Sequence, residues 1–168
     1  MSELKTVVIT GGNTSLGYQC AKNIALLDKS WHIVLACRNK TRALEAVEKL
    51  KQETNNFNIQ EMVLDLSSLV SIRNFTDNFL KQELPPLKAL VCNAGVQVIS
   101  GINYTKDGFE STFGVNHLGH FLLTNLLLKS LKSPARIVFV SSGTHYAEKK
   151  TGMPPPNYTN AEKLAYPE

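Results

Sequence analysis

The residues best suited to binding chemistry lie in a glycine-bearing segment near the amino terminus. Residues 10–17 read Thr-Gly-Gly-Asn-Thr-Ser-Leu-Gly, after the apolar run 6–9 and before the amphipathic stretch 18–27. A strand, a tight turn and a helix amino terminus in that order direct backbone N–H groups and the positive end of the helix dipole towards a phosphate. The alternative is a ligand-free turn, because turns of every kind recruit glycine. We expect a cradle for a dinucleotide pyrophosphate, formed by Gly11, Asn13, Thr14, Ser15, Leu16 and Gly17.

The end of the predicted second strand bears on which dinucleotide binds. In dinucleotide-binding folds an acidic residue about 20 positions after the glycines bonds the ribose 2′-hydroxyl, and Cys37 lies 20 positions beyond Gly17. Without a carboxylate there, nothing repels a 2′-phosphate, and the neighbouring Arg38 offers it a planar fork of donors. The expected cofactor is therefore NADP rather than NAD. The alternative is that Arg38 is a solvated charge at a strand end.

These motifs resemble the short-chain dehydrogenase/reductase superfamily, whose fingerprint is Thr-Gly-x-x-x-Gly-x-Gly. Ser15 stands where the middle glycine is usual, and its hydroxyl can donate a hydrogen bond to phosphate, so we expect the substitution to be tolerated. Cys92 followed by Asn-Ala-Gly resembles the family motif Asn-Asn-Ala-Gly. The run 36–39 resembles the retinol-dehydrogenase-like and protochlorophyllide-reductase-like branches.

The resemblance implies roles for residues at later strand ends and in one helix. Asp65, with the backbone of Leu66, would contact the adenine, although Asp65 could instead turn the chain while Ser67 or Ser68 caps the next helix. Asn116 would bend its helix, hold a water and relay protons to a catalytic lysine. Ser142 would hydrogen-bond the substrate carbonyl or hydroxyl, its alternative being an ordinary turn residue. Residues that would border the cofactor after the fourth strand are Asn93, Ala94 and Gly95.

The family's proton donor is a Tyr-x-x-x-Lys pair, in which the lysine lowers the tyrosine pKa from about 10. Tyr146 and Lys150 have that spacing, but they follow Ser142 directly in an expected loop, and we interpret them as a chance match. Tyr158 has Glu162 four places on. Tyr166 is followed by a proline that disfavours helical geometry, which places it in a loop insertion. The catalytic pair is therefore expected beyond residue 168, and the resemblance covers the cofactor-binding part of the family fold.

The elements that must position these residues alternate along the chain. Runs such as Val7-Val8-Ile9 are apolar without alternation, as is typical of a parallel sheet buried on both faces. We expect an α/β fold, a Rossmann-type doubly wound parallel sheet with strand order 3-2-1-4-5, in one domain of residues 1–142. Residues 143–168 are polar, include three prolines at 154–156, and are expected to form a long loop. The predicted strands are 6–10, 32–37, 59–65, 89–92 and 136–141, and the predicted helices are 15–27, 40–53, 69–80 and 109–131.

Composition excludes several classes of protein. The chain has 168 residues, 43% of them hydrophobic, and a net charge of +4 without a long basic block, so one globular domain is expected and nucleic acid is not. Cys20, Cys37 and Cys92 show no Cys-x-x-Cys spacing, which favours reduced thiols in the cytoplasm over a zinc site or disulfides. His117 and His120 lack an evident third ligand, so no metal is expected. No apolar run reaches membrane-spanning length, and residues 1–5 do not resemble a signal peptide.

The resemblance implies an NADP-dependent oxidoreductase that passes a hydride between nicotinamide and a small-molecule carbonyl or alcohol substrate. The 168 residues alone are expected to be inactive because they lack the proton donor. The apolar helix of residues 121–131 favours a homo-oligomer, either a symmetric dimer or a tetramer. The alternative is a non-catalytic nucleotide-binding module that senses a redox cofactor or assembles with a partner. A downstream Tyr-x-x-x-Lys would support the enzyme, and a true stop codon would support the module.

Overall fold

Parallel strands alternate with helices in the computed structural model, which describes residues 3–143, Tyr146, Glu148 and residues 158–167. The first half of the chain contains β1 (Lys5–Thr10), α1 (Ser15–Leu27), β2 (Trp31–Cys37), α2 (Lys40–Thr54), β3 (Ile59–Val63) and α3 (Leu69–Lys81). The second half contains β4 (Leu87–Cys92), α4 (Ser111–Phe113), a π-helical turn (Gly114–Gly119), α5 (His120–Leu127), a 3₁₀ turn (Leu128–Ser130), β5 (Leu131–Phe139) and α6 (Ala161–Ala165).

The five strands form one parallel sheet in the order β3-β2-β1-β4-β5, which confirms the predicted fold class and strand order. β1 lies at the centre, where Val8 aligns with Val34 of β2 and with Leu90 of β4. The chain reverses its direction of winding between β1 and β4. In open α/β sheets such a switch point is where the carboxyl ends of the strands leave a crevice for a ligand.

Helices cover both faces of the sheet, so alternate residues of each strand enter different cores. Val7 and Ile9 pack with α1 and α2, and Leu50 is fully buried in that layer. Val8 packs on the opposite face with α3 and α5, where Phe75 and Leu123 are buried. Burial on both faces explains why these strands read as continuous apolar runs.

The helix predicted over residues 109–131 is present over residues 111–130, but it is not a regular α-helix, and the predicted start of β5 is wrong. A π-helical turn interrupts it around Asn116, and β5 begins at Leu131 rather than at residue 136. Pro134 disfavours helical geometry at Ser133, and Leu131 already aligns with Leu87 of β4. The helix therefore ends where pairing with β4 begins.

The segment after residue 142 contains a short helix that the sequence pattern did not predict. The backbone N–H of Glu110 donates to the carbonyl of Ala165 at 2.7 Å, and the rings of Phe109 and Tyr166 lie 5.5 Å apart. α6 therefore packs beside the start of α4. The prolines at 154–156 lie outside the described residues. No helix in the described ranges is long and apolar enough to span a bilayer.

Candidate cofactor-binding site

A cleft of about 520 Å³ opens at the carboxyl ends of the strands, at the switch point between β1 and β4. Eleven of the twelve residues predicted to bind cofactor line it: Gly11, Asn13, Thr14, Ser15, Leu16, Arg38, Asp65, Leu66, Asn93, Ala94 and Gly95. Residues that line it without having been predicted include Cys37, Asn39, Arg42, Val96 and Val115. The topology thus brings four separate strand ends into one concave surface.

The amino terminus of α1 forms one wall of the cleft and has no side-chain cap among the described residues. By contrast, Asn39 accepts the N–H of Arg42 at the start of α2, and Ser68 accepts the N–H of Ser71 at the start of α3. The first-turn N–H groups of a helix have no intrahelical acceptor. Those of α1 therefore remain available to an anion, and the helix dipole favours one there.

Glycines allow this helix to approach the sheet closely. Gly11 has a φ of 63°, and a Cβ there would lie 3.1 Å from Ala94. Gly17 is the predicted residue that does not line the cleft: a Cβ on it would collide with the carbonyl oxygen of Gly11 and lie 2.6 Å from Asn93 Nδ2. Gly17 therefore serves the contact between α1 and the strand ends.

Ser15, where the family fingerprint has glycine, has a φ of 48°. This left-handed backbone conformation is strained for a residue with a Cβ. Its hydroxyl lies 3.4 Å from the hydroxyl of Thr14, at the exposed edge of the cleft. The loop thus retains a glycine-like conformation despite the serine.

The end of β2 presents a neutral thiol and two cations to the cleft. Burial raises the pKa of the Cys37 thiol even though backbone N–H groups of residues 11–13 approach it. Arg38 directly follows Cys37. Arg42, which none of the sequence motifs includes, lies one helical turn further on and also lines the cleft. Within the described part of the chain, no carboxylate pairs with either guanidinium. The four-residue spacing of the two arginines at the start of a helix could have identified Arg42 from the sequence.

Asp65 lies in the cleft wall but is largely engaged by the protein. Its carboxylate accepts the Ser67 N–H at 3.0 Å and the Ser67 hydroxyl at 2.7 Å, and it pairs with Lys106 Nζ at 2.8 Å. Burial alone would raise the pKa of Asp65, but the hydrogen bonds from Lys106 and Ser67 outweigh burial and lower it. The turn-forming role is therefore present, while an adenine contact stays a prediction.

Asn93 joins the glycine-bearing loop to the end of β4. Its backbone N–H and that of Ala94 both donate to Thr10 Oγ1 at 2.9 Å, and Asn93 Nδ2 donates to the Thr10 carbonyl at 2.9 Å. The floor of the cleft is thus held across β1 and β4 by side-chain bonds as well as by strand pairing.

The two residues predicted to be catalytic do not line the cleft. Asn116 lies in the π-helical turn, where its Oδ1 accepts the Val96 N–H at 2.8 Å and its Nδ2 donates to the Val96 carbonyl at 2.9 Å. It fixes the chain that leaves the cleft after β4. Ser142 is exposed beyond β5. Tyr146 is exposed as well, and Lys150, which would complete its pair, lies outside the described residues.

The two histidines with i, i+3 spacing have different environments. The ring of His117 stacks on Phe113 with centroids 5.1 Å apart, whereas His120 is buried and contacts Thr10. The described residues contain no group of three or more potential metal ligands.

The fold and the cleft define a Rossmann-type α/β protein with a crevice at the switch point of its sheet. Comparison with known proteins identifies its family. The sequence profile of the short chain dehydrogenase family matches residues 5–155. Human polyprenol dehydrogenase is 45% identical over 84% of this chain and 44% of its own length. Human retinol dehydrogenase 13 is 45% identical over 85% of this chain and 43% of its own length. Chloroplastic protochlorophyllide reductase of Chlamydomonas reinhardtii is 42% identical over 90% of this chain and 39% of its own length.

Solved structures show the same architecture. An uncharacterised protein of Mycobacterium paratuberculosis is 34% identical, with a TM-score of 0.77. The match covers 98% of this chain and 53% of the mycobacterial chain. An alcohol dehydrogenase of Thermococcus sibiricus, complexed with 5-hydroxy-NADP, is 25% identical, with a TM-score of 0.64. The match covers 76% of this chain and 53% of the Thermococcus sibiricus chain. The chain belongs to the short chain dehydrogenase family, in its retinol-dehydrogenase-like branch, and spans less than half the length of the three curated relatives.

Proposed function

We propose that the cleft binds NADP and that the protein acts as an oxidoreductase on a carbonyl or alcohol substrate. The observation that carries this proposal is the amino terminus of α1 beside Arg38 and Arg42, where the described residues supply neither a side-chain cap to the helix nor a carboxylate to the arginines. The N–H groups suit a pyrophosphate, and the guanidinium groups suit a 2′-phosphate. Family membership favours the enzyme over a non-catalytic nucleotide-binding module.

The preference for NADP over NAD rests on charge at the end of β2. Cys37 supplies no carboxylate to repel a 2′-phosphate, and burial keeps its thiol neutral. Arg38 begins the connection to α2, and the Asn39 cap sets the first turn of the helix so that Arg42 also reaches the cleft. The NADP-type ligand of the Thermococcus sibiricus relative supports the same assignment.

Cofactor titrations test this assignment. Arg38→Ala should weaken NADPH binding about 10- to 150-fold while leaving NADH binding nearly unchanged, because a hydrogen bond to a charged group is worth roughly 1.5–3 kcal/mol. Arg42→Ala should act in the same direction with a smaller effect. Arg73→Ala, an exposed arginine of α3 outside the cleft, is the matched control. Equal losses of NADH and NADPH affinity in Arg38→Ala would show that the 2′-phosphate assignment is wrong.

The chemistry would be divided between cofactor and protein. The nicotinamide, when bound, accepts or donates the hydride. Ser142 would hydrogen-bond the substrate oxygen, and Asn116 would fix the strand-end chain at Val96 while holding a water. A proton must accompany the hydride and needs an acid within hydrogen-bond reach of that oxygen. We assign that acid to a tyrosine paired with lysine outside the described residues.

The loop that leaves the cleft suggests an apolar substrate. Residues 96–104 carry no charged side chain, and Val96, Ile99, Ile102 and Tyr104 are exposed. Val96 lines the cleft, and Lys106 at the other end of the loop pairs with Asp65, so the loop follows the rim of the cleft. Relatives named for polyprenol and retinol support an apolar alcohol or aldehyde. Binding of primary alcohols to the NADPH-bound protein should strengthen with chain length, and no trend across the series would exclude this substrate class.

A further inference from the structure

His120 is a buried imidazole behind the cleft. Its side chain is 2% exposed and lies between the end of β1 and the π-helical turn. Nε2 lies 2.9 Å from Thr10 Oγ1, and Nδ1 lies 3.1 Å from the backbone carbonyl oxygen of Asn116. The His120 ring therefore contacts both Thr10, which holds Asn93 beneath the cleft, and Asn116, which holds Val96 at the edge of the cleft.

These contacts determine which nitrogen carries the proton. A carbonyl oxygen only accepts, so Nδ1 must be protonated to donate to Asn116. In the neutral ring Nε2 is then an acceptor and receives the hydroxyl proton of Thr10. Both lone pairs of that hydroxyl face the N–H groups of Asn93 and Ala94, each at 2.9 Å. The Val91 carbonyl oxygen is a more distant acceptor for the same proton, at 3.4 Å. By donating to the nearer Nε2, the Thr10 hydroxyl donates once and accepts twice, which is its full capacity.

The Asn116 carbonyl contacts the imidazole of His120 and does not receive the backbone N–H of that residue. In a regular α-helix that carbonyl would accept the backbone N–H four residues on, which is that of His120. Here the His120 N–H donates to the His117 carbonyl instead. The turn and the buried histidine are therefore complementary parts of one arrangement.

We propose that His120 is a positioning residue of the cofactor cleft, which in its Nδ1-protonated form orients the Thr10 hydroxyl to hold Asn93 and Ala94 in place. This inference rests on the proposed cofactor function of the cleft. His120 itself lines no part of the cleft and acts through Thr10 and Asn116.

Protonation of His120 would break this arrangement. An imidazolium would direct an Nε2–H at Thr10 Oγ1, which already accepts two N–H groups, so one of them would lose its acceptor. Burial lowers the pKa of His120, which keeps the ring neutral at ordinary pH. The titratable neighbours on the elements around it are His117 in the π-helical turn and Cys92 of β4, whose pKa is raised to about 11 by burial.

The test is the pH dependence of NADPH affinity in the wild type and in His120→Gln, measured by NADPH fluorescence from neutral pH down to the lowest pH at which both proteins stay folded. Glutamine can accept from Thr10 but does not titrate. Because burial lowers the pKa of His120, the loss should begin below the ordinary histidine value of about 6.5. In that acid range wild-type affinity should fall about three- to tenfold more than that of His120→Gln. The 2′-phosphate of NADPH is a phosphate monoester, which itself titrates at about pH 6. The effect of His120 is therefore the difference between the wild-type and the His120→Gln pH profiles. His117→Gln, the same substitution at the exposed neighbour, should follow the wild type.

A second measurement judges the proposal without cofactor. Amide hydrogen exchange by NMR should show protected N–H groups of Asn93 and Ala94 in the wild type at pH 7.5, faster exchange of at least one in folded His120→Leu, and recovery in His120→Gln. Parallel pH profiles together with unchanged exchange in His120→Leu would overturn the role of His120. Failure of the wild type to bind NADPH at every pH would instead overturn the proposed function, and the exchange data would still decide about His120.

Discussion

At the scale of single residues, Ser15 shows how a departure from the family fingerprint is accommodated. The loop keeps a positive φ at this position, so the conformation is imposed by its surroundings rather than by the residue type. Gly11 on one side and the start of α1 on the other fix the path of the backbone. The site is thus built with a small local strain beside the expected pyrophosphate.

We expect Ser15→Gly to stabilise the protein by roughly 0.5–1 kcal/mol. Release of a left-handed strain of about 1–2 kcal/mol is partly offset by the greater unfolded-state freedom of glycine. Urea unfolding measures the change. Ser15→Ala separates strain from the hydroxyl, since it keeps the Cβ and should not be stabilised. Asn55→Gly, another residue with positive φ, should gain less because asparagine tolerates that region. A loss of stability in Ser15→Gly would show that the backbone at residue 15 is not strained.

Residues near a motif could be predicted from the sequence, and residues that act through long-range contacts could not. Arg38 and the glycine loop follow from spacing along a short segment. Arg42 could have been found by the same reasoning. The role of His120 depends on a bond to Thr10 across 110 positions of the chain, which no local pattern contains.

At the scale of elements, apolar runs and their order were sufficient to predict the sheet. The family resemblance implied a bend at Asn116, but the π-helical form of the turn was not predictable, because it accompanies a side-chain contact between Asn116 and the backbone of Val96, 20 positions earlier. Helical periodicity continues through the turn, so the sequence reads as one helix. The start of β5 was mispredicted for a related reason. Leu131 adopts an extended conformation because it pairs with Leu87, and that pairing is not visible in the local sequence.

The packing of α1 on the strand ends gives a second prediction. Gly17→Ala should destabilise the protein by about 1–3 kcal/mol or more, because a methyl group there meets the Gly11 carbonyl and Asn93, and neither can move without disturbing the cleft. Thermal or urea unfolding reports the loss, and NADPH affinity should fall with it. Gly95→Ala, where the nearest protein atom is Asn116 Oδ1 at 3.4 Å, serves as the control for stability alone and should be far milder in unfolding. Equal effects of the two substitutions would mean that close approach at Gly17 is unimportant.

At the scale of the whole molecule, the apolar side chains exposed on α5 and at the edge of β5 bear on assembly. Phe121 of α5 is 60% exposed, and at the β5 edge of the described sheet Val138 is 46% and Phe139 57% exposed. An edge strand with exposed apolar side chains tends to pair with other chains.

We therefore expect the 168-residue polypeptide to self-associate at micromolar concentration. Phe121→Glu should shift it towards smaller species if the helix face mediates a symmetric contact. Val138→Lys should suppress open-ended aggregation through the strand edge. Size-exclusion chromatography with light scattering distinguishes the two effects, and a clean monomer of the parent polypeptide would refute self-association.

The same polypeptide should show no dehydrogenase activity. In the proposed mechanism Ser142 and Asn116 would orient a carbonyl and a water, but neither would supply the proton that accompanies the hydride. NADPH oxidation with a panel of aldehydes and ketones is the measurement, with NADPH binding as the control for a formed cleft. Turnover would show that residues 1–168 contain the donor, and Tyr146→Phe, Tyr158→Phe and Tyr166→Phe would then identify it.

The hydroxyl of Thr10 also has a consequence for the order of folding. Its partners lie 83 positions away at Asn93 and 110 positions away at His120, so β1 and the glycine loop are synthesised long before the residues that complete the cleft. Contacts so distant in sequence form late, because the closure of a long loop precedes them. In refolding, NADPH fluorescence should therefore rise with the slowest phase rather than with the first helical signal. A nascent chain acquires its cofactor cleft only once α5 has joined the sheet.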